Sequence, residues 1–418
     1  MMVSLLHIRC RWTQVLTAGL VLTFPTLTAT FAFMFTVSSY AVAFFLSVLS
    51  VWFLQYNSTS YRLVAVTCLV LSLSIYQAYI SLAASLLILV LIRQLLDGED
   101  NTSVFLRGMK YILFLIISLG IYWVLIQLVL KLNHVHMGDY AANSISFSFG
   151  TLPQKIKLAY NCFILDFRAA ASGLIPSSIS RKVHLFLLLC TFVLLVLWMI
   201  RSRFGVTSVL LLSTLVGILP LAVNCMYLFT TPNSIHTLVL YSFICVYLLV
   251  LMLADGLTPT VVSGKLAEFS RQVALNGTML LCSMIVLINI YVANSAYLSM
   301  YLRYQNTYAF YVTLVSDIRQ SPDFTEGTKL AVIGTWDEPV FYSKNLGFTK
   351  YLDGIDGTKP TFYSKESFLQ YYLGYSIPFA SREECEEISA SPEFAEMPPY
   401  PYYGSTRIIG DTFVVKLS

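Results

Sequence analysis

Residues 63–92 read LVAVTCLVLSLSIYQAYISLAASLLILVLI, thirty positions without one charged side chain. A helix crosses the hydrocarbon core of a bilayer in about 20 residues, with a range of about 17 to 25. Thirty residues exceed one crossing, and Tyr76, Gln77 and Tyr79 interrupt the run near its centre. Two spans, 61–76 and 77–95, account for the stretch, with the break between them at a water boundary or facing an interior cleft, because polar side chains are costly against lipid.

The same length rule, applied outward, places further spans at 12–36, 38–54, 110–130, 183–200, 206–228, 236–253 and 271–292, about nine membrane-spanning helices altogether. Composition agrees. The chain is 57% hydrophobic and 11% charged, with a mean hydropathy of +0.72, whereas roughly a quarter of the residues of a soluble domain carry charge. His7, Arg9 and Arg11 precede an apolar run in the manner of a signal peptide. That run, Trp12 to Thr36, is about 25 residues long and lacks a clear small-residue cleavage site, so it reads as a retained span.

Charge is unevenly placed. Residues 1–322 carry a net +10 and residues 323–418 a net −6, so the overall +4 is no nucleic-acid signal. Arg9, Arg11, Arg62, Arg93, Arg107, Lys110, Arg201, Arg203, Lys265 and Arg271 fall on one face of the nine-span arrangement, while the loops 36–39 and 229–235 of the other face carry no charge. By the positive-inside rule the N-terminus is cytoplasmic and the C-terminus outside. The long loop 131–182 contains Lys155, Lys157, Arg181 and Lys182, but long loops obey that rule poorly. The Tyr40 turn, the Tyr76–Tyr79 break, this loop and everything after residue 292 then share the outer surface, where function is to be sought.

Within the loop, residues 152–174 carry apolar side chains at helical spacing and predict a helix lying in the interface. Tyr291, Tyr297, Tyr301, Tyr304, Tyr308 and Tyr311 recur largely at three- or four-residue spacing, as a helix leaving the membrane requires. Beyond Pro322 the pattern changes to a strand at 329–334, short helices at 364–372 and 381–389, and a hairpin, 406–409 and 412–417, around Gly410-Asp411. The expected organisation is a transmembrane domain, 1–292, a tyrosine-rich connecting helix, 293–322, and an extracytoplasmic α/β domain, 323–418. Seven of the eight cysteines lie in or near apolar segments, with no CxxC pair, and read as small buried hydrophobes.

The chain contains no Walker loop, GxGxxG, GxSxG or HExxH. Carboxylates assigned to the outer face before the tail domain are few: Asp139, Asp166 and Asp317. Asp166 stands two residues before Arg168; an extended chain would pair them, whereas on a helix they point apart. His134 and His136 precede Asp139, but no further ligands complete a metal site, and neither metal nor cofactor is expected. Arg303 and Tyr304 suit phosphate pairing and sugar stacking, and equally the interface of any membrane protein.

Three segments carry a resemblance: 24–40 (FPTLTATFAFMFTVSSY), 74–79 (SIYQAY), and the end, Met397 to Pro401 with Gly404-Ser405 and Val414 to Ser418. They resemble the bacterial O-antigen glucosyltransferases of the Gtr type II group, over about residues 12 to 418. The resemblance implies an all-α polytopic membrane bundle of the GT-C type with a small C-terminal α/β domain, in the bacterial inner membrane. It implies transfer of glucose from undecaprenyl-phosphate-glucose to the O-antigen of lipopolysaccharide on the periplasmic face, with the bilayer as a third partner. Such transfer needs a carboxylate base and groups that stabilise the departing phosphate. The residues favoured are Asp139, then Asp166, as base; Arg168 and Arg303 for the phosphate; and Tyr76, Gln77, Tyr304 and His136 for the substrate. GT-C enzymes usually carry an acid in the first outer loop, which here, Thr36 to Ser39, has none. The expectation is therefore an N-terminally truncated chain, with an inactive homologue or a lipid-linked-sugar translocator as the alternative reading.

Overall fold

A computed structural model describes residues 1–135, 149–172, 177–202, 204–230, 237–257, 265–325, 327–335 and 362–418. The chain is mostly helical and forms two compact units that divide between Asn294 and Ser295.

In the first unit the 63–92 stretch breaks where its polar residues stand. Helix α5, Thr59–Ile75, ends at Tyr76, whose backbone is extended (φ −153°, ψ 111°), and α6 runs Tyr79–Leu96. Before them come α1 (Met2–Leu5), α2 (Arg11–Thr23), α3 (Pro25–Ala32) and α4 (Val37–Leu54). After them come α7 (Asn101–Leu132), α8 (Leu152–Ser172), α9 (Ser177–Arg201), α10 (Val206–Val223), α11 (Ile244–Leu257) and α12 (Lys265–Gln320). Among the described residues eight helical segments are long and apolar enough to cross a membrane, and α5 is a further apolar helix of 17 residues.

Two expected boundaries are corrected. The first span is present as the apolar segment Arg11–Ala32, but it is not one unbroken helix. Pro25 has no N–H to donate and forces Phe24 into an extended conformation (φ −59°, ψ 137°), so α2 stops and α3 restarts with the proline in its first turn. The span expected at 110–130 begins earlier, because the Asp100 carboxylate accepts from the Ser103 N–H at 3.1 Å and caps α7, which starts at Asn101, nine residues upstream of Lys110. The tyrosine-rich segment, expected as a helix leaving the membrane, continues the last span as one helix of 56 residues, α12, with no glycine or proline at 292–293. Helix α8 matches the amphipathic helix expected in the loop 131–182.

Packing centres on α6 and α11. Sixteen of the eighteen residues of α6 are buried, including Leu82, Leu86, Leu89 and Ile92, and α11 buries nearly its whole circumference. A helix that is apolar all round belongs inside a bundle. Helix α7, by contrast, leaves Ile112, Leu113, Ile116 and Trp123 exposed, the surface a lipid-facing helix presents.

In the second unit β1 (Lys329–Ile333), β2 (Thr406–Ile409) and β3 (Thr412–Lys416) form a sheet in the order β1-β3-β2. β3 lies parallel to β1 and antiparallel to β2. Gly410 turns the β2–β3 hairpin with φ +65°, a conformation that costs glycine little. Tyr311, Leu314, Val315 and Ile318 recur at helical spacing on α12 and bury against Leu330, Phe413 and Val415. The short helices are α13 (Phe362–Ser367), which continues into a π-helical turn at Phe368–Tyr372, α14 (Arg382–Ser389) and α15 (Pro392–Ala395). Ser381 and Glu384 form a reciprocal capping box at the start of α14.

Candidate functional site

Helices α4 to α7 are joined by short connections, so their polar termini collect in two groups within the first unit. One group is aromatic. The Tyr40 and Tyr76 rings stack at 4.3 Å, and Tyr76 meets Tyr79 edge-on at 5.6 Å. Phe44 bridges Tyr79 (6.0 Å) and Tyr241 (5.0 Å), and Phe24 bridges Tyr241 (5.6 Å) and Tyr247 (6.3 Å). The ladder ends at His184, whose Nε2 lies 2.9 Å from the Tyr247 hydroxyl in a buried pair. Gln77 is exposed and donates from Nε2 to the Tyr122 hydroxyl at 2.7 Å. Half-buried Tyr76 and exposed Gln77 thus form one surface feature, with phenol, amide and stacked rings side by side.

Helix α8 is fixed to the segment 206–228. Lys155 Nζ donates to the Leu228 carbonyl (3.2 Å), Tyr160 OH to the Gly217 carbonyl (2.8 Å), and Asn224 Nδ2 to the Ala159 carbonyl (3.1 Å). Burial pushes the Lys155 ammonium below the usual lysine range. Positions 166 and 168 are both helical, which removes the extended pairing: two residues on a helix differ by about 200° around its axis. The side chains of Asp166 and Arg168, and all of His136 and Asp139, lie outside the described residues.

The other group is charged, and it gathers the basic loops. Asp97 accepts from Arg93 Nε (3.0 Å) and lies 3.3 Å from His7 Nδ1, and Arg107 pairs with Glu99 at 2.8 Å. Asp255 accepts from the Arg9 and Cys10 N–H groups at 2.9 and 2.8 Å, Arg201 donates to the Gly256 carbonyl (3.0 Å), and Arg271 pairs with Glu268. Residues 1–294 contain seven acids, Asp97, Glu99, Asp100, Asp139, Asp166, Asp255 and Glu268. All five whose side chains are described are bound into this charged group or cap α7 beside it. Asp255 and His184, each isolated in an apolar run, were not singled out from the sequence; their partners are remote along the chain and only folding supplies them.

Arg303 and Tyr304 belong to the second unit. The Tyr304 hydroxyl hydrogen-bonds that of Tyr372, with the rings edge-on at 5.8 Å, and Tyr372 stacks on Phe368 at 5.1 Å. Arg303 is half-buried beside them in sequence. Asp317 accepts from the Tyr400 hydroxyl at 2.5 Å, and burial together with that carboxylate pushes the phenol well above its usual range. Lys365 Nζ donates to the carbonyls of Val332 and Gly334, and its burial lowers the ammonium below the ordinary lysine range. Among the described residues no group of three His, Cys, Asp or Glu side chains could hold a metal ion.

Compared with known proteins, residues 1–247 match a family model described as "Glucosyl transferase GtrII". No curated protein and no solved structure matches the chain.

Proposed function

The chain belongs to the glucosyl transferase GtrII family, and from that premise we propose that it moves glucose from a polyprenyl-phosphate-linked donor to O-antigen on the periplasmic face of the bacterial inner membrane. Membership implies glucosyl transfer, and the apolar helices imply a membrane setting. The lipid-linked donor suits both, because its apolar tail partitions into the bilayer that such helices cross. The face follows from the positive-inside reading, with the basic group cytoplasmic and the tyrosine-rich group outside.

The observation that carries the catalytic assignment is the distribution of acids. Every described carboxylate of the first unit is engaged at the basic end, which favours Asp139, then Asp166, in the segment 131–182, as the base. In that reaction the acceptor hydroxyl oxygen forms a bond to the glucose anomeric carbon. The bond from that carbon to the donor phosphate oxygen breaks, the hydroxyl proton passes to the carboxylate, and polyprenyl phosphate leaves with the electron pair. A positioned base contributes about 10²- to 10⁴-fold. Arg168 and Arg303 are assigned to the leaving phosphate, where a guanidinium binds two oxygens at once. Tyr76, Gln77, Tyr304 and His136 are assigned to the sugar and its approach, rings offering apolar faces and polar edges.

Membranes containing the wild-type chain, Asp139→Asn or Asp166→Asn, given polyprenyl-phosphate glucose and O-antigen, test this directly. Loss of about a hundredfold or more in one variant is expected. Wild-type rates in both would remove the base assignment, and no transfer by the wild type would remove the donor and acceptor assignment.

A further inference from the structure

We propose that the basic end of the first unit holds a binding site for a phosphate-headed lipid, separate from the tyrosine end. A cavity of ≈ 830 Å³ opens there between α4, α5, α6 and α7, within the size range of small-molecule sites. Its polar side is cationic: Arg62, Arg93, Arg107 and Lys110 line it, with Glu99 as the acid among them. Two of these cations are neutralised, Arg93 by Asp97 and Arg107 by Glu99. Among the described residues Arg62 bonds only the neutral Asn57 amide oxygen, at 2.7 Å, and exposed Lys110 has no acidic partner. Two uncompensated cations therefore face a space large enough for a headgroup.

The other wall is apolar. Val66, Phe114 and Ile117 continue the lining along α5 and α7, and Leu113 and Ile117 are exposed, so the cavity opens sideways along surfaces that a bilayer would cover. Its depth is marked by aromatic residues at the α4–α5 turn, where Trp52, Tyr56 and Tyr61 pack in sequence at 4.9 Å centroid spacings. Clustered Trp and Tyr at the ends of apolar helices sit at headgroup level. Tyr111 donates to Gln55 Oε1 at 3.1 Å across the cavity, adding neutral hydrogen-bonding groups beside the cations. Cations at headgroup depth over an apolar wall select a phosphate carried on an acyl or isoprenoid chain. A neutral zwitterionic lipid lacks the net charge, and free phosphate leaves the wall unused.

Native mass spectrometry of the full chain in detergent, titrated with phosphatidylglycerol, phosphatidylcholine, a polyprenyl phosphate or inorganic phosphate, reads the site. Phosphatidylglycerol or polyprenyl phosphate is expected to bind at least tenfold more tightly than phosphatidylcholine, and whichever of the two is tighter names the source. The R62Q/K110Q variant should bind about 25-fold more weakly, about fivefold per cation. Ile117→Trp, which fills the exposed apolar wall without touching charge, should also weaken lipid binding. Equal affinity for phosphatidylcholine, inorganic phosphate binding as tightly as the lipids, or unchanged affinity in both variants would each overturn the proposal. Melting temperature in lipid-free detergent separates loss of the site from loss of the fold.

Discussion

Asp255 ties the first ten residues to the bundle, and its removal gives a measurable opening. The carboxylate is 4% exposed and accepts the N–H groups of Arg9 and Cys10, just before α2 begins. It thus satisfies, from across the bundle, donors that no side chain of α2 itself caps. Hydrogen bonds to a charged group contribute about 1.5 to 3 kcal/mol each. Asp255→Ala, which removes both, should cost about 3 kcal/mol or more of local stability, and Asp255→Asn, which keeps one acceptor oxygen, about half of that. A 1.4 kcal/mol change is tenfold in population, so the opened state should rise about a hundredfold in the alanine variant and about tenfold in the asparagine variant. Met2, Leu5, Leu6 and Ile8 pack into the core and hold the segment shut in the wild type. Trypsin cleavage after exposed Arg9, followed by intact-mass analysis in detergent, tracks that population when opening is fast relative to cleavage. Equal cleavage rates in all three proteins would refute the anchoring role.

Three further outcomes follow from contacts elsewhere. At Gly256 an added Cβ would run into Trp198 Cζ2 and lie 2.8 Å from Arg93 Nη1, and Trp198 is held by its Nε1–H bond to the Leu253 carbonyl (3.0 Å); Gly256→Ala should cost about 1 to 3 kcal/mol as overpacking, visible as a lower melting temperature. Gly334 has φ +98° and would place a Cβ 2.7 Å from the Ser418 N, so Gly334→Ala should loosen the second unit and raise hydrogen exchange in β1 and β3. All eight cysteines are free, so electrophoresis of freshly purified protein should give the same mobility with and without reductant.

How much of this was legible in the sequence varies by element. The break at Tyr76–Gln77 was readable because three polar aromatic or amide groups interrupt an otherwise apolar run, a signal that needs no knowledge of neighbours. The β2–β3 hairpin was equally readable, from Gly410-Asp411 between two alternating stretches. The break at Pro25 was visible as a residue but outweighed by the apolar length around it, and the backbone chemistry of proline prevailed over hydrophobicity. Asp100 caps α7 from its polar approach, and Arg107 separates the extra turns, with Val104, Phe105 and Leu106, from the apolar run beyond Lys110 that marked the expected span.

By itself the sequence determined the membrane character, the positions of most apolar helices and the uneven distribution of charge, because each depends on the hydrophobicity and backbone preferences of neighbouring residues. Only the tertiary structure decided which polar groups meet. Asp255 and Arg9 are separated by 246 positions, and Gln77 and Tyr122 by 45. Pairings at that distance depend on how whole helices pack, which no local pattern encodes. The same packing gathers Arg62 and Lys110 around one cavity and ties down the five described acids of the first unit, turning scattered charges into a basic end.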